Sequence, residues 1–402
     1  MKAGFDLVCI GAGDEQVAGI AAAQRLGLRV FALDGNASAP GLALADAAEV
    51  VDLRDADAVV AVVRRTGARG VVPVPLGAVL ATVGAVNDAL CFRGISSRSA
   101  RLCTDKALMR AAFAAAGLAQ PMSLPAATRD EVLAAARRVG FPLVVKPASG
   151  SGSRGVALLA DAAELDDFLE RHGADLLERF AGGALVESVL RGQEYGVDGV
   201  VADGVCSVLS LRRKLMSPPP ARVALAYTGP VRLAPDTMQR IDAAMRRATA
   251  CIGLHDCLFH ADVMVSDAGE VTIIELSGRP SGFGLSSVLL PACLGVDVQE
   301  QAIRMTLGLS YSFQPTRRRI GRLAGVVDRA GTVRSLGSPE RARAVPGVVS
   351  LRLALSEGDV VPDMASGADW WHAGHAIVVA DDEPALDAAW RELCRALAIT
   401  IE

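Results

Sequence analysis

Asp262 and Glu275 stand thirteen positions apart, on either side of the turn Asp267-Ala268-Gly269. The runs His260 to Val265 and Val271 to Leu276 that flank this turn predict a β-hairpin. Alternation along the two strands allows both carboxylates to point to one face. Two carboxylates side by side repel, and such a pair is held together by a cation. Oxygen ligands suit Mg²⁺ or Mn²⁺, ions that also carry phosphates. Arg279, four residues beyond Glu275, can neutralise charge on a transferring phosphoryl group. The plainer reading is a solvated edge hairpin, since paired carboxylates also occur for structural reasons.

A second cluster has the same chemical sense. Lys146 precedes Pro147-Ala148-Ser149-Gly150-Ser151-Gly152-Ser153-Arg154-Gly155. Backbone N–H groups of such a loop can wrap phosphate oxygens, and the lysine adds a point charge. The segment is not a P-loop, because its order differs and a strand, Val156 to Leu159, follows instead of a helix. A third cluster, Gly11-Ala12-Gly13-Asp14-Glu15-Gln16, lacks the third glycine of a dinucleotide fingerprint; Gln16 stands there. With Asp34 after the next strand, the bland reading is a tight turn without a dinucleotide.

Other side chains leave two readings each. His260, on the face of Asp262, steers substrate or takes a proton from an amine, or is a packed strand histidine. Arg212 and Lys214 hold an acceptor carboxylate or a phosphate, or are surface charges. His372 and His375, beside Trp370 and Trp371, read as packing and surface residues, with no nearby acid in a clear pattern to complete a metal set.

The elements that must position these residues fall into three stretches. From Leu7 to Val74, strands and helices alternate: strands at Leu7 to Ile10, Val30 to Leu33 and Gly70 to Val74, with a helix at Val59 to Thr66. That order predicts a parallel α/β sheet covered on both faces. A helix from a Thr104 cap to Ala116 follows, then strands at Leu143 to Lys146, Val156 to Leu159, Ala184 to Glu187 and Glu194 to Val201, an α+β pattern. Leu215 to about Gly229, with three prolines, reads as a mobile loop, and Ile241 to Ile252 as a helix. Beyond Pro315 lies a small α+β appendage, whose last helix shows Leu386, Trp390, Leu393 and Leu397 on one face.

Composition narrows the classes. The chain has 402 residues, is 51% hydrophobic and carries a net charge of −4. This length asks for more than one core, and the charge shows no nucleic-acid surface. No apolar run is long enough for a membrane span, and no signal peptide opens the chain. The eight cysteines are scattered in apolar contexts without a Cys-x-x-Cys pair, which suits a reduced, cytoplasmic protein.

The order Lys146, Gly/Ser loop, Glu187, Glu194, Asp262, Glu275, Arg279 resembles the ATP-grasp superfamily, and the resemblance spans nearly the whole chain. It implies a Rossmann-like N-terminal domain at 1–95, a two-lobed ATP-grasp domain at 96–314 and a small C-terminal ligase domain at 315–402. It implies ATP as co-substrate with Mg²⁺. Lys106 and Lys146 look like the phosphate lysines, joined by Lys214, and Ser149, Gly150, Ser151, Gly152 and Ser153 like the loop that closes over the triphosphate. Glu187, Ser188 and Leu190 belong to the stretch that resembles the adenine-binding hinge, acting largely through backbone. Glu194 resembles the ribose acid. Asp262 and Glu275 match the metal carboxylates, and Arg279 matches the arginine beside the reacting carboxylate. Ser277 departs from the pattern: many relatives have Asn there as a ligand of a second metal, and a hydroxyl is a poorer one.

The implied activity is that of a carboxylate–amine ligase of the L-amino acid ligase branch. It joins a small carboxylic acid, such as an amino acid, to an amine through an acyl phosphate, with Arg279, Lys146 and His260 at the chemistry. Neither nucleic acid nor membrane is an expected partner, and a homodimer is left open. The rivals are a carboxyphosphate-forming enzyme of purine or biotin type, an NAD-dependent oxidoreductase using Gly11 to Asp34, and a non-catalytic nucleotide-binding module.

Overall fold

Four apolar residues in succession, Leu7–Ile10, form a fully buried strand β1, and the turn after it starts helix α1 (Asp14–Arg25). Strand β2 (Val30–Asp34), helix α2 (Pro40–Leu44), strand β3 (Ala47–Val50) and helices α3 (Ala56–Thr66) and α4 (Leu80–Leu90) complete the first stretch. The computed structural model describes residues 4–150, 152–179, 182–362, 371 and 373–402. The sheet is parallel in the order β1-β2-β3. The strand expected at Gly70 to Val74 is a single bridge, Val8 to Val71, because Pro73 and Pro75 have no N–H to extend a ladder. The third strand is β3 instead, whose Ala-Ala-Glu-Val sequence gives little strand signal.

Two helices link this stretch to the rest, α5 (Ser97–Thr104) and α6 (Lys106–Ala115). The expected cap shifts by one residue. Asp105 accepts the N–H groups of Ala107 and Leu108, while Thr104 ends α5 with its hydroxyl on the Ala100 carbonyl. Aspartate accepts these bonds as a charged group, so it is the stronger cap. The first lobe follows as β4 (Ser123–Ala126), α7 (Arg129–Val139), β5 (Leu143–Pro147), β6 (Ala157–Leu159), α8 (Ala162–Ala174) and β7 (Ala184–Ser188). Its four strands pair antiparallel in the order β4-β7-β5-β6. The Gly/Ser loop therefore joins a true hairpin, β5 to β6.

The second lobe comprises β8 (Gln193–Ala202), β9 (Val205–Met216), β10 (Ala224–Gly229), α9 (Pro235–Ile252), β11 (Cys257–Val265), β12 (Val271–Ser277), α10 (Leu290–Leu294) and α11 (Val298–Thr306). The tail adds β13 (Ile320–Gly325), β14 (Gly331–Ser335), α12 (Pro339–Arg343), β15 (Val348–Leu353), β16 (Val360–Val361), β17 (Gly374–Ala380), α13 (Glu383–Leu397) and β18 (Thr400–Ile401). One eight-stranded sheet runs β12-β11-β8-β9-β10-β13-β17-β15, so tail strands extend the sheet of the second lobe. Half of the stretch expected as a mobile loop is strand. The prolines at 218–220 occupy only the crossing, after which Tyr227 pairs with Lys214 and Thr228 with Arg213. Among the described residues no helix is long and apolar enough to cross a membrane.

Candidate active site

Asp262 on β11 and Glu275 on β12 are direct partners in the antiparallel register. Next to β11 lies β8 with Glu194, and next to β8 lies β9 with Lys214. The Lys214 ammonium reaches across these strands, 2.6 Å from Glu194 and 2.7 Å from Asp262. Burial opposes its charge, but Asp262 and Glu194 outweigh that and hold its pKa above the ordinary value. Burial pushes the Asp262 carboxyl up to about 6; Lys214 pulls against it, while Glu194 and Glu275 add to it. Burial also raises Glu275, yet Lys106, Lys214, Lys146 and Arg279 together bring it below its usual range.

Lys106, at the start of α6, lies 3.6 Å from Glu275 and donates to the Gly150 carbonyl at 2.8 Å. Among the described residues no group of three or more His, Cys, Asp or Glu is placed to hold a metal. Two facing carboxylates do fit Mg²⁺, which keeps waters and takes its remaining ligands from phosphates. Ser277, opposite His260 in the register, borders a smaller cavity with Lys106, Gly150, Glu275 and Arg279 rather than either large one.

Lys146 on β5 is buried, and its ammonium sits 2.6 Å from Glu187 on β7. Arg110 of α6 also holds Glu187, at 2.8 Å through Nε, and donates to the Ile273 and Ile274 carbonyls of β12 at 3.1 and 2.9 Å. One guanidinium thus ties the linker helix to a strand of each lobe. Burial raises Glu187, but Lys146 and Arg110 outweigh it and hold the carboxyl at about 2. Lys146 moves the other way. Burial lowers its pKa, and Arg110 and Lys106 repel it, against the pull of Glu187. Two cations sharing one carboxylate leave an excess of positive charge, which a phosphate can complete.

These groups surround a cleft of about 940 Å³ between the lobes. Its walls include Lys106, Lys146, Ser149, Gly150, Gly152, Ser153, Glu187, Ser188, Leu190, Glu194, Lys214, Asp262 and Glu275. Apart from Ser151, which lies outside the described residues, every residue expected to contact the nucleotide borders this cleft. Gly150, Gly152, Ser153 and Gly155 all have positive φ (118°, 73°, 57° and 69°), a backbone conformation used in anion-binding concavities. The side chains of Glu187 and Glu194 are engaged, Glu187 with Lys146 and Arg110, Glu194 with Lys214 and with Arg222 at 3.4 Å.

A second cavity, about 1170 Å³, adjoins the first and shares Gly152, Ser153, Arg154, Lys214, Asp262 and Glu275 with it. Glu15, Arg212, Tyr227, His260, Arg279 and Phe283 are among its other lining residues. Among the described residues, three buried polar atoms on this lining have no hydrogen-bond partner: His260 Nε2, Arg279 Nε and Ser281 Oγ. Unsatisfied groups of this kind are costly unless a ligand completes them. Burial drives the His260 pKa well below its usual value, and Arg279, Arg212 and Lys214 add to the effect. A neutral imidazole of such low basicity suits a hydrogen bond to substrate better than removal of a proton. Arg212, the other uncertain cation, is buried and paired to Asp198 at 2.6 and 2.9 Å.

The remaining sequence candidates lie elsewhere. Asp34 spends its carboxylate on the N–H groups of Ala12 and Asn36, so it caps the Gly11–Gly13 turn. His375 Nδ1 lies 3.0 Å from the Trp371 carbonyl, while Trp370 and His372 lie outside the described residues. Sequence reading missed Arg110, Arg222, Glu15 and Tyr227. Arg110 carried a signal: it is the lone charge four residues after Lys106 on an otherwise apolar helix face.

Residues 139–287 match the model of an ATP-grasp domain, and residues 325–402 match L-amino acid ligase C-terminal domain 2. An uncharacterized protein of Sinorhizobium fredii, y4rH, is 28% identical over 309 residues, which are 76% of this chain and 63% of that protein. Alanine–anticapsin ligase of Bacillus subtilis is 25% identical over 218 residues, 49% of this chain and 46% of that enzyme. The chain therefore spans less than two thirds of the length of these relatives. The crystal structure of L-amino acid ligase from Bacillus licheniformis superposes with a TM-score of 0.84, covering 100% of both chains at 21% identity, and so shares the fold.

Proposed function

We propose that this chain, which matches an ATP-grasp domain and an L-amino acid ligase C-terminal domain 2, is an ATP-dependent carboxylate–amine ligase of the L-amino acid ligase branch. The observation that carries the proposal is the shared wall: Asp262, Glu275, Lys214 and the loop residues Gly152, Ser153 and Arg154 border both cavities. ATP in the first cavity presents its terminal phosphate across that wall to an acid in the second.

In this reading Lys106, Lys146 and the amides of residues 149–155 take the phosphates, and the backbone of residues 187–190 takes adenine. Glu194 takes the ribose. Asp262 and Glu275 would hold Mg²⁺, which when bound would neutralise charge on the phosphate oxygens. Ser277 would be left for a second ion. Arg279 and the neutral His260 hold the acid's carboxylate. A carboxylate oxygen attacks the γ-phosphorus in line, the bond to ADP breaks, and an acyl phosphate forms. The amine nitrogen then adds to the acyl carbon, phosphate departs and the nitrogen loses its proton. No enzyme nucleophile takes part; the Cys103 thiol, which shares a cavity lining with Glu275 and Arg279, is pushed up to about 12 by burial.

The test is release of ADP and phosphate in the presence of Mg²⁺ across a panel of acids and amines. Release that requires both an acid and an amine supports the ligase. No release with any pair contradicts it, and release that requires bicarbonate instead assigns the chain to carboxyphosphate chemistry. Arg279→Lys keeps charge but loses the forked donor. It is expected to lower kcat/KM for the acid by on the order of 10²-fold, with the Kd for ATP changed less than about 3-fold. Isothermal titration and initial rates check both numbers. All eight cysteines are free, which supports a cytoplasmic place, and light scattering of the full chain decides for or against a homodimer.

A further inference from the structure

Glu15 is the second residue of α1, a helix of the N-terminal stretch, yet its carboxylate lines the substrate cavity between the lobes. It is held there from three sides. Asp34 fixes the turn before it by accepting the Ala12 N–H at 2.7 Å, and the Gln16 side chain donates to the Pro75 carbonyl at 2.5 Å. Glu15 Oε2 accepts the backbone N–H of Phe283 at 2.5 Å, which docks the helix onto the segment that carries Arg279. Gly282 permits this approach, since a Cβ there would stand 2.9 Å from the same oxygen. Among the described residues no hydrogen bond reaches the other oxygen, Oε1.

The charges facing Glu15 come from Arg279 in the cavity, and from Asp14 and Arg352, which pair with each other. Burial raises the Glu15 carboxyl above its usual range, and the Phe283 N–H and Arg279 only partly offset it. A cation placed in the cavity would favour its charged form. The same cavity is lined by Arg279, Ser281 and His260, whose Nε, Oγ and Nε2 have no hydrogen-bond partner among the described residues. The cavity therefore combines unsatisfied polar groups with a carboxylate, and the segment 279–283 both carries Arg279 and Ser281 and holds Glu15 through the Phe283 N–H.

We propose that Glu15 binds the ammonium group of the substrate whose carboxylate lies at Arg279, so that this residue selects an α-amino acid over its des-amino counterpart as acyl donor. The assignment rests on the ligase reading above. It differs from a general-base role, which would act on the second substrate, and from a purely structural counter-charge for Arg279, which would serve all acids alike. Both alternatives predict different kinetics.

The experiment measures steady-state ADP release by the full chain for each proteinogenic α-amino acid and its des-amino acid. Glu15→Gln is compared with wild type; glutamine still accepts the Phe283 N–H but carries no charge. The wild type is expected to favour the best amino acid over its des-amino form. Glu15→Gln is expected to raise KM for the amino acid about 10- to 100-fold, the range of a charge-assisted hydrogen bond. KM and kcat for the des-amino acid stay within about 3-fold. Equal weakening of both acids overturns the proposal in favour of a structural role. A fall in kcat with both acids at unchanged KM overturns it in favour of a base.

Glu15→Asp, which restores the charge, is expected to recover part of the preference, and failure to do so counts against the proposal. Thermal melting with nucleotide shows that the variants are folded. Calorimetry of the same acids on the complex with Mg²⁺ and a non-hydrolysable ATP analogue needs no turnover. Absence of ADP release with every acid then rejects the ligase reading, while the titrations still decide whether Glu15 reads the ammonium.

Discussion

Replacing Glu275 by Gln is expected to lower kcat by at least about 10³-fold while leaving the chain folded. The substitution keeps shape and removes one charge from a site where four cations, Lys106, Lys214, Lys146 and Arg279, act on this carboxylate. Asp262, its strand partner, stays tied to Lys214 at 2.7 Å and cannot by itself replace a two-carboxylate set. The charge balance makes a second, less obvious forecast. With one anion removed, the excess of lysine and arginine charge grows, so nucleotide without Mg²⁺ binds as tightly as before or tighter. What disappears is the increment that Mg²⁺ adds to that affinity. Calorimetry of a non-hydrolysable ATP analogue with and without Mg²⁺ reads this directly, beside rates of ADP release. A rate within about 10-fold of wild type, with the Mg²⁺ increment intact, would remove Glu275 from the metal site.

The second large effect falls on stability. Glu187→Gln leaves Lys146 and Arg110 buried around an uncharged amide, and breaking a buried ion pair by removing one partner costs about 3–5 kcal/mol. Because Arg110 also holds the Ile273 and Ile274 carbonyls, the loss spreads to the junction between lobes and nucleotide affinity falls with it. The pH dependence has a definite sign. Glu187 is held at about 2, below an ordinary glutamate near 4.3, so its stabilisation is complete above the ordinary value and is lost as pH falls toward 2. The gap in apparent melting temperature between wild type and Glu187→Gln should be full at neutral pH and narrow steadily below about pH 4.5. A gap that is constant across that range would mean that the carboxylate's charge is not what stabilises the fold.

Features set by local pattern are legible in the amino-acid sequence. The hairpin of Asp262 and Glu275 is one, because a Gly turn separates two apolar runs and strand alternation then sets the facing of the carboxylates. The Gly/Ser loop is legible as a hairpin for the same reason. Pairings between distant segments are not. Nothing near Glu187 announces that Arg110, 77 residues earlier, will share its carboxylate with Lys146. Lys214 looks like either a surface charge or a ligand-binding one, since only the β9-β8-β11 order brings Glu194 and Asp262 to it. Glu15 is hidden in a glycine cluster that suggests a dinucleotide turn, and its reach to Phe283 spans 268 residues. Where prolines interrupt a pattern, expectation and structure part in both directions: too much strand at Gly70 to Val74 and too little after Pro220.

The central claim, that an acid captures the γ-phosphoryl group across the wall shared by the two cavities, is tested most directly by following oxygen. The acid substrate is prepared with a heavy oxygen isotope in its carboxylate, and the products of one turnover with ATP, Mg²⁺ and amine are analysed by mass spectrometry. Transfer through an acyl phosphate predicts one labelled oxygen in the released inorganic phosphate and none in the nucleotide. Label appearing in AMP, or phosphate released without any label while the amide forms, would contradict it.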